Sequence, residues 1–172
     1  SGGSRLMTSP GGQELRKPIT GLPLGTMAPD VELFRINGDR TTLEEARSDK
    51  PTALIFWMSR NKFSRTGVPQ LVDALEPFGQ ECAMILIGAG ESVDTVRNMV
   101  KRNEAFAGSF VDRAHLASDA FGVKGVFSVV LIDHEGKVSD VAIGQDPRLI
   151  LSTTNKMKAL IAAAGAARKN DE

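Results

Sequence analysis

The sequence contains a single cysteine, Cys82, among its 172 residues. One cysteine excludes a disulfide within the chain and a catalytic cycle between two thiols of the same chain. Charge of one sign is not in excess either. The 21 basic and 21 acidic residues give a formal net charge of zero, so nothing predicts a nucleic-acid or anionic-membrane partner. No apolar run approaches the roughly 18 residues that a membrane span requires.

The two ends of the chain differ in composition from its middle. Residues 1–24 are rich in glycine, serine, proline and threonine without periodicity, which predicts a flexible tether. The opening SGGS resembles the remnant of an expression tag, which leaves open whether a membrane anchor or export signal once preceded it. We expect one folded domain over residues 25–164 and a frayed, charged tail over residues 165–172.

Between these ends, apolar runs and helical periodicities alternate. TALIFWM (52–58) and CAMILIGA (82–89) are nearly continuous apolar runs, typical of strands covered on both faces. SVDTVRNMVKRN (92–103) has helical spacing, and FSVVLID and KVSDVAIG flank a turn signal, HEG. The order of elements predicts an α/β fold: a mixed central sheet, flanked by helices on both faces and ending in an antiparallel pair.

Motifs for cofactors and metals are weak. The GAGE turn (88–91) lacks both a dinucleotide-binding fingerprint and a P-loop lysine, so no cofactor is predicted. His115 and His134 have no cysteine or carboxylate at metal-ligand spacing, so no metal site is predicted and both are expected at the surface.

Three segments together resemble the thioredoxin-like fold, in the redoxin branch of TlpA-, ResA- and MauD-type thiol–disulfide oxidoreductases. GLPLGTMAPDVELFRINGDRTTLEEA (21–46) resembles the opening of that branch, with its extra N-terminal β-hairpin. ALIFW (53–57), followed by a helix that contains Pro69, resembles the active-site strand and helix. AFGVKGVFSVVLIDHEGKVSDVAIG (120–144) resembles the segment that ends in the closing hairpin.

The resemblance implies an active site whose chemical groups are missing here. The two CxxC cysteines correspond to Asn61 and Ser64, and the cis-proline that faces them corresponds to Phe127. An amide is not a nucleophile and a serine hydroxyl has no redox couple, so no catalytic residue is predicted. The plain alternative is that Asn61 and Ser64 cap a helix. An engineered replacement of a cysteine at Ser64 is left open.

Cys82 has two interpretations as well. It opens an apolar strand, where a free cysteine behaves as a small hydrophobic residue, and burial in the core is the expectation. The alternative is a reactive thiol, which would need a positive or helix-terminal setting.

The groove of the degenerate site is the candidate binding surface. Active relatives bind extended peptide there, and apolar and cationic side chains at its rim could form a partner surface. The candidates are Trp57, Met58, Arg60, Lys62, Phe63 and Phe127. The alternative is a groove plugged by Phe127. We expect a trans peptide between Val126 and Phe127, because a cis bond before a residue other than proline costs about 2.5–4 kcal/mol.

The sequence therefore predicts a redox-inactive thioredoxin-like module. It would bind a protein or peptide through the degenerate groove, or form a structural subunit of a larger assembly, without nucleic acid and with a membrane contact only through a removed N-terminal anchor. The alternative is a thiol–disulfide oxidoreductase or peroxidase-class protein that uses a partner's cysteine or Cys82. The resemblance implies the periplasmic or extracytoplasmic side of the membrane, with a cytoplasmic location left open.

Overall fold

A computed structural model describes residues 22–123 and 127–171. The predicted tether (residues 1–24) lies almost entirely outside the described residues, and the Val126–Phe127 peptide lies outside them because Val126 does. The described residues form seven strands and five α-helices, with short 3₁₀ turns at Glu76–Phe78 and Glu104–Phe106. In chain order the elements are β1 (Glu32–Phe34), β2 (Arg40–Thr42), α1 (Leu43–Arg47), β3 (Thr52–Trp57), α2 (Lys62–Leu75), β4 (Ala83–Ala89), α3 (Val93–Arg102), β5 (Phe110–Asp112), α4 (Leu116–Ala120), β6 (Ser128–Ile132), β7 (Val138–Ile143) and α5 (Leu149–Asp171).

The strands form one mixed sheet in the order β2-β1-β5-β4-β3-β6-β7. Strands β3, β4 and β5 are parallel, as helical crossovers between them require. Strands β6 and β7 form an antiparallel pair, and β6 also pairs antiparallel with β3. The predicted N-terminal hairpin is present as β1 and β2. The mixed sheet and its late antiparallel pair are confirmed.

The central strand β3 is buried over its whole length and divides the core into two layers. Because side chains alternate along a strand, Ala53, Ile55 and Trp57 face one layer, while Leu54 and Phe56 face the other. The first layer packs against α2, α3 and α5, and the second against α1 and α4. Helices therefore cover both faces of the sheet, as predicted.

Local capping explains where several helices begin. Thr42 and Glu45 form a capping box at α1, and the Ser92 hydroxyl accepts the N–H of Thr95 at α3. At the last helix, the Asp146 carboxylate accepts the N–H of Arg148, and α5 begins at Leu149.

Helix α5 is longer than the sequence pattern indicated. It continues through Gly165 to Asp171, so the described part of the predicted frayed tail is helical. A single glycine costs only about 1 kcal/mol in a helix, and its neighbours in this stretch are good helix formers such as alanine, arginine and lysine. Among the described residues, no helix is long and apolar enough to cross a membrane.

Candidate functional site: a degenerate thiol-enzyme turn

The turn between β3 and α2 contains Asn61 and Ser64, the two positions that the family resemblance matches to the CxxC cysteines. Asn61 is the N-cap of α2, with extended backbone, and its side-chain oxygen accepts the N–H of Ser64 at 3.0 Å. This bond satisfies one of the N–H groups that have no partner within the helix. The capping role predicted for Asn61 is confirmed.

Ser64 does more than fill space in the first turn of α2. Its side chain is fully buried, and its hydroxyl oxygen accepts the N–H of Met58 at 3.0 Å. That bond ties the start of the helix back to the end of β3. A buried N–H without a partner is costly, so the hydroxyl has a structural function in the turn itself.

A carboxylate from the neighbouring strand holds the same turn. Glu91 follows β4, and its two oxygens accept the N–H of Ser59 at 2.7 Å and the hydroxyl of Ser59 at 3.1 Å. The carbonyl of Ser59 in turn accepts an N–H of Arg65 at 3.0 Å. Ser59 is therefore bound through its N–H, carbonyl and hydroxyl groups, and the turn is held from both β4 and α2.

Sequence analysis missed this network, although a signal for Glu91 was present. β3 and β4 were both predicted as central strands joined by a helix, and the carboxyl ends of parallel strands meet at one edge of a sheet. Ser59 and Glu91 each follow one of these strands within two residues. The strand pattern alone therefore suffices to place the GAGE turn beside the degenerate turn, although it does not show that Glu91 binds Ser59.

Phe127, which the family resemblance matches to the cis-proline, is almost completely buried, with 1% of its surface exposed. Its ring lies against Gly67 of α2 and against Gly144, after β7. A Cβ atom added to Gly67 would lie 2.5 Å from Cε2 of the ring, and one on Gly144 would lie closer still. The ring thus fills the space between α2 and β7, one helical turn beyond Ser64.

A groove remains beside the buried ring. It has a volume of about 220 Å³ and lies between α2 and the loop that leads into α5. Its lining includes Phe63, Thr66, Gly67 and Gln70 from α2, then Phe127, residues 144–147, Leu149 and Ile150. The groove therefore combines four large apolar side chains with a polar rim, which is the usual composition of a binding site.

The six predicted partner-binding residues do not form one surface. Trp57 is fully buried, its ring meets Phe106 edge-on at 5.0 Å, and its N–H bonds the Ser109 hydroxyl. Trp57 therefore presents no area to a partner, which corrects that part of the prediction, whereas Phe127 lines the groove with only 1% of its surface exposed. The alternation of β3 explains the burial of Trp57, since it points to the same layer as Ala53 and Ile55.

The other four candidates remain accessible at the start of α2. Arg60 and Lys62 are exposed, and Met58 and Phe63 are half-buried. The Lys62 ammonium lies 5.4 Å from the centre of the Phe63 ring, which itself lines the groove. The accessible rim is thus cationic and adjoins the groove directly.

Cys82 is buried, as predicted, with 3% of its surface exposed. Burial raises the pKa of its thiol above the ordinary value, reinforced by Glu81 and opposed by Lys50. The neighbouring residue, Ala83, pairs with Thr52 at the amino end of β3, whereas the degenerate turn follows the carboxyl end. The thiol and the turn are therefore separated by the length of a six-residue strand, roughly 20 Å.

The two histidines lie on different elements, His115 at the start of α4 and His134 in the turn between β6 and β7. His115 is exposed, as predicted, and its Nδ1 lies 3.1 Å from the Ser118 hydroxyl. His134 is half-buried rather than exposed, and its Nδ1 is buried without a hydrogen-bond partner. Within residues 22–123 and 127–171, no group of three potential metal ligands comes together.

Solved structures identify the class to which this architecture belongs. The chain is similar to a putative thiol:disulfide interchange protein DsbE from Chlorobium tepidum, with 20% identity and a TM-score of 0.73 over 81% of this chain and 99% of the other. It is also similar to a putative protein disulfide isomerase from Bacteroides thetaiotaomicron, with 21% identity and a TM-score of 0.72 over 82% and 91%. The fold is therefore thioredoxin-like.

The family follows from the sequence itself. Residues 24–141 match the model of the AhpC/TSA family, and the chain belongs to that family. It is also 22% identical over 138 residues to the thioredoxin-like protein YneN of Bacillus subtilis (strain 168), which covers 77% of this chain and 78% of that protein. The resemblance to redoxin proteins is confirmed, and the single cysteine is consistent with a degenerate site.

Proposed function

We propose that this chain is a redox-inactive member of its family that binds a protein or peptide segment in the groove beside the degenerate turn. It would act as an adaptor or as a structural subunit of a larger assembly. The chain would retain the ability of the thioredoxin-like fold to hold an extended segment, without the chemistry that two thiols provide.

The observation that carries this proposal is the use of Asn61 and Ser64 within the fold. Both side-chain oxygens accept backbone N–H groups of the turn. Neither has a redox couple, and a thiol–disulfide cycle needs two sulfurs. Asn61 and Ser64 therefore stabilise the turn and provide no redox-active group.

Cys82 argues against the enzymatic alternative. A reactive thiol needs access and a lowered pKa, whereas burial raises the pKa of Cys82. Its position at the far end of β3 also separates it from any segment bound in the groove. A mixed disulfide between Cys82 and such a segment would require the core to open.

Two experiments test the proposal. The first is an insulin-reduction turbidity assay with dithiothreitol, in which we expect no acceleration by the native protein. Dithiol-dependent turnover by the monomer would refute the redox-inactive part.

The second experiment selects nine-residue peptides of random sequence, displayed on phage, against the immobilised protein. Gln70→Trp should fill the groove, because Gln70 is exposed and lines it. The matched control is Gln80→Trp, at an exposed position outside the groove lining. We expect enriched peptides to lose binding to Gln70→Trp and to keep it with Gln80→Trp. Absence of enrichment, or equal binding to both variants, would contradict the proposal.

The location of the protein belongs to the proposal as well. The redoxin branch that the chain resembles implies the periplasmic or extracytoplasmic side of a membrane, and we expect the same here, reached through an export signal or an N-terminal anchor. Fractionation of the native cells with an antibody against this domain measures it. Recovery with the cytoplasmic markers would contradict this expectation.

A further inference from the structure

The groove has a volume that suits one large apolar side chain. Its volume of about 220 Å³ exceeds the roughly 150 Å³ of a dry protein cavity that binds benzene. Phe63, Phe127, Leu149 and Ile150 provide apolar surface along it. A leucine or phenylalanine side chain from a bound segment therefore fits the space that Phe127 leaves open.

Two cationic side chains adjoin residues that line this groove. The Lys62 ammonium lies over the ring of Phe63, and Arg60 is exposed two residues earlier. The first turn of α2 contains no acidic residue that could neutralise them. Arg148 lies between the lining residues Pro147 and Leu149, and its side chain is 85% exposed.

The carboxylate that lines the groove is already engaged. Asp146 accepts the N–H of Arg148 at 2.9 Å, and its carboxylate lies 3.6 Å from the Arg148 guanidinium. An exposed ion pair of this kind is weak, and the Arg148 side chain stays 85% exposed. The guanidinium of Arg148 and the ammonium of Lys62 therefore both remain accessible to the carboxylates of a partner.

We propose that the groove binds an extended peptide segment with one large apolar side chain between acidic residues, so that its carboxylates meet Lys62 at one end and Arg148 at the other. This inference rests on the proposed function and adds the chemistry of the partner. Exposed ion pairs contribute little each, but complementary charge on both sides selects against basic segments and speeds association.

The test uses four fluorescein-labelled peptides of equal length and measures binding by fluorescence anisotropy. One has a central leucine flanked on each side by two glutamates. The second and third replace the glutamates by serines or lysines, and the fourth keeps the glutamates but replaces leucine by alanine. We expect each pair of glutamates to tighten binding about two- to fivefold relative to serines. The two pairs together should make the acidic leucine peptide bind roughly tenfold more tightly than the serine peptide, and the lysine peptide should bind more weakly than either.

Charge-reversed variants locate the effect. Lys62→Glu and Arg148→Glu should each weaken the acidic peptide roughly three- to tenfold and strengthen the lysine peptide. The matched control is Lys101→Glu, an exposed lysine in the last turn of α3, outside the groove, which should leave the order of the peptides unchanged. The preference for the acidic peptide should also diminish as salt rises, because exposed charges are screened.

The possible failures are distinguishable. One failure is that the glutamate, serine and lysine peptides bind equally, or that the lysine peptide binds best, while Gln70→Trp still abolishes binding. The acidic-partner inference would then be wrong, and the groove would remain a peptide site. If the alanine peptide binds as well as the leucine peptide, the apolar centre is wrong. If no peptide binds, or if Gln70→Trp changes nothing, the inference and the proposed function fail together.

Discussion

At the carboxyl end of β3 the chain is polar and tied by hydrogen bonds, whereas beside the amino end of that strand, just before β4, the thiol of Cys82 lies among apolar side chains. In the turn, Asn61 and Ser64 accept backbone N–H groups where the family resemblance places two sulfurs. At Cys82, the sulfur is present without the access and charge that would make it reactive. The comparison teaches that the chemical group and the setting that activates it occur at opposite ends of one strand.

The largest effect is expected when cysteines are introduced into the turn, which would place thiols in the setting that can activate them. We expect Asn61→Cys with Ser64→Cys to change dithiol-dependent insulin reduction from undetectable to measurable, because the helix N-terminus stabilises a thiolate. Adding Phe127→Pro should increase the rate further by reopening the wall of the groove. The control is the double variant Arg60→Cys with Thr66→Cys, at two exposed positions, and its rate of insulin reduction should stay near background. Equal rates in the double and triple variants would show that Phe127 does not restrict the site.

The next largest effect concerns the wall of the groove. Phe127→Ala removes a buried ring that lies between Gly67 and Gly144, so we expect a loss of about 3–5 kcal/mol in the free energy of unfolding. Urea denaturation measures it. The control is Phe63→Ala. Phe63 is half-buried at the groove, so its loss should lower the free energy of unfolding clearly less. A loss below about 1 kcal/mol for Phe127→Ala would mean that the ring is not a structural part of the wall.

Ser64→Ala tests the hydrogen bonds of the turn. It should cost about 1–3 kcal/mol, because the N–H of Met58 loses its acceptor in a partly buried position. Thr66→Ala, two residues later and exposed, provides the control, and urea denaturation is again the measurement. If the two variants are equally stable, water replaces the Ser64 hydroxyl and the turn does not depend on it.

Cys82 should give the smallest effect and the most informative pH dependence. Cys82→Ala should cost about 1–2 kcal/mol near neutral pH. Because burial raises the pKa of the thiol, the folded state favours the neutral form. The neutral thiol therefore contributes to the free energy of unfolding. This contribution is fully present below the unfolded-state pKa of roughly 8.5 and is lost as the pH rises through the folded-state pKa.

The difference in stability between the native protein and Cys82→Ala should therefore narrow above about pH 8.5. Urea denaturation from pH 7 to 10.5 measures this trend. A difference that widens with pH would mean that the fold favours the thiolate. Labelling of the native thiol by a maleimide within seconds would also contradict its burial.

More of the fold than of the site could be predicted from the sequence. Helix caps such as Thr42, Ser92 and Asn61 act within three residues, and the apolar runs of β3 and β4 are continuous, so both signals are local. The contacts that shape the site are not local. Ser59 meets Glu91 from 32 positions away, and Phe127 meets Gly67 from a still greater separation.

Trp57 shows a different reason for error. It adjoins the turn in sequence, but nearness in sequence does not make a residue part of the groove. Counting the alternation from Ala53 would have placed it in the core, because residues two apart on a strand face the same side. Conversely, no pattern in the sequence shows that residues 144–147 form the second wall of the groove, since this depends on how α5 packs beside α2.

The ring of Phe127 between two glycines also has an evolutionary consequence. Positions 67, 127 and 144 are interdependent, because a side chain at either glycine collides with the ring until the ring is replaced. Replacing the ring first leaves a void that destabilises the domain. A variant that gains both cysteines and then loses the ring would therefore pass through a less stable intermediate. The burial of one aromatic ring thus limits which substitutions at position 127 the domain tolerates, whatever residues stand at positions 61 and 64.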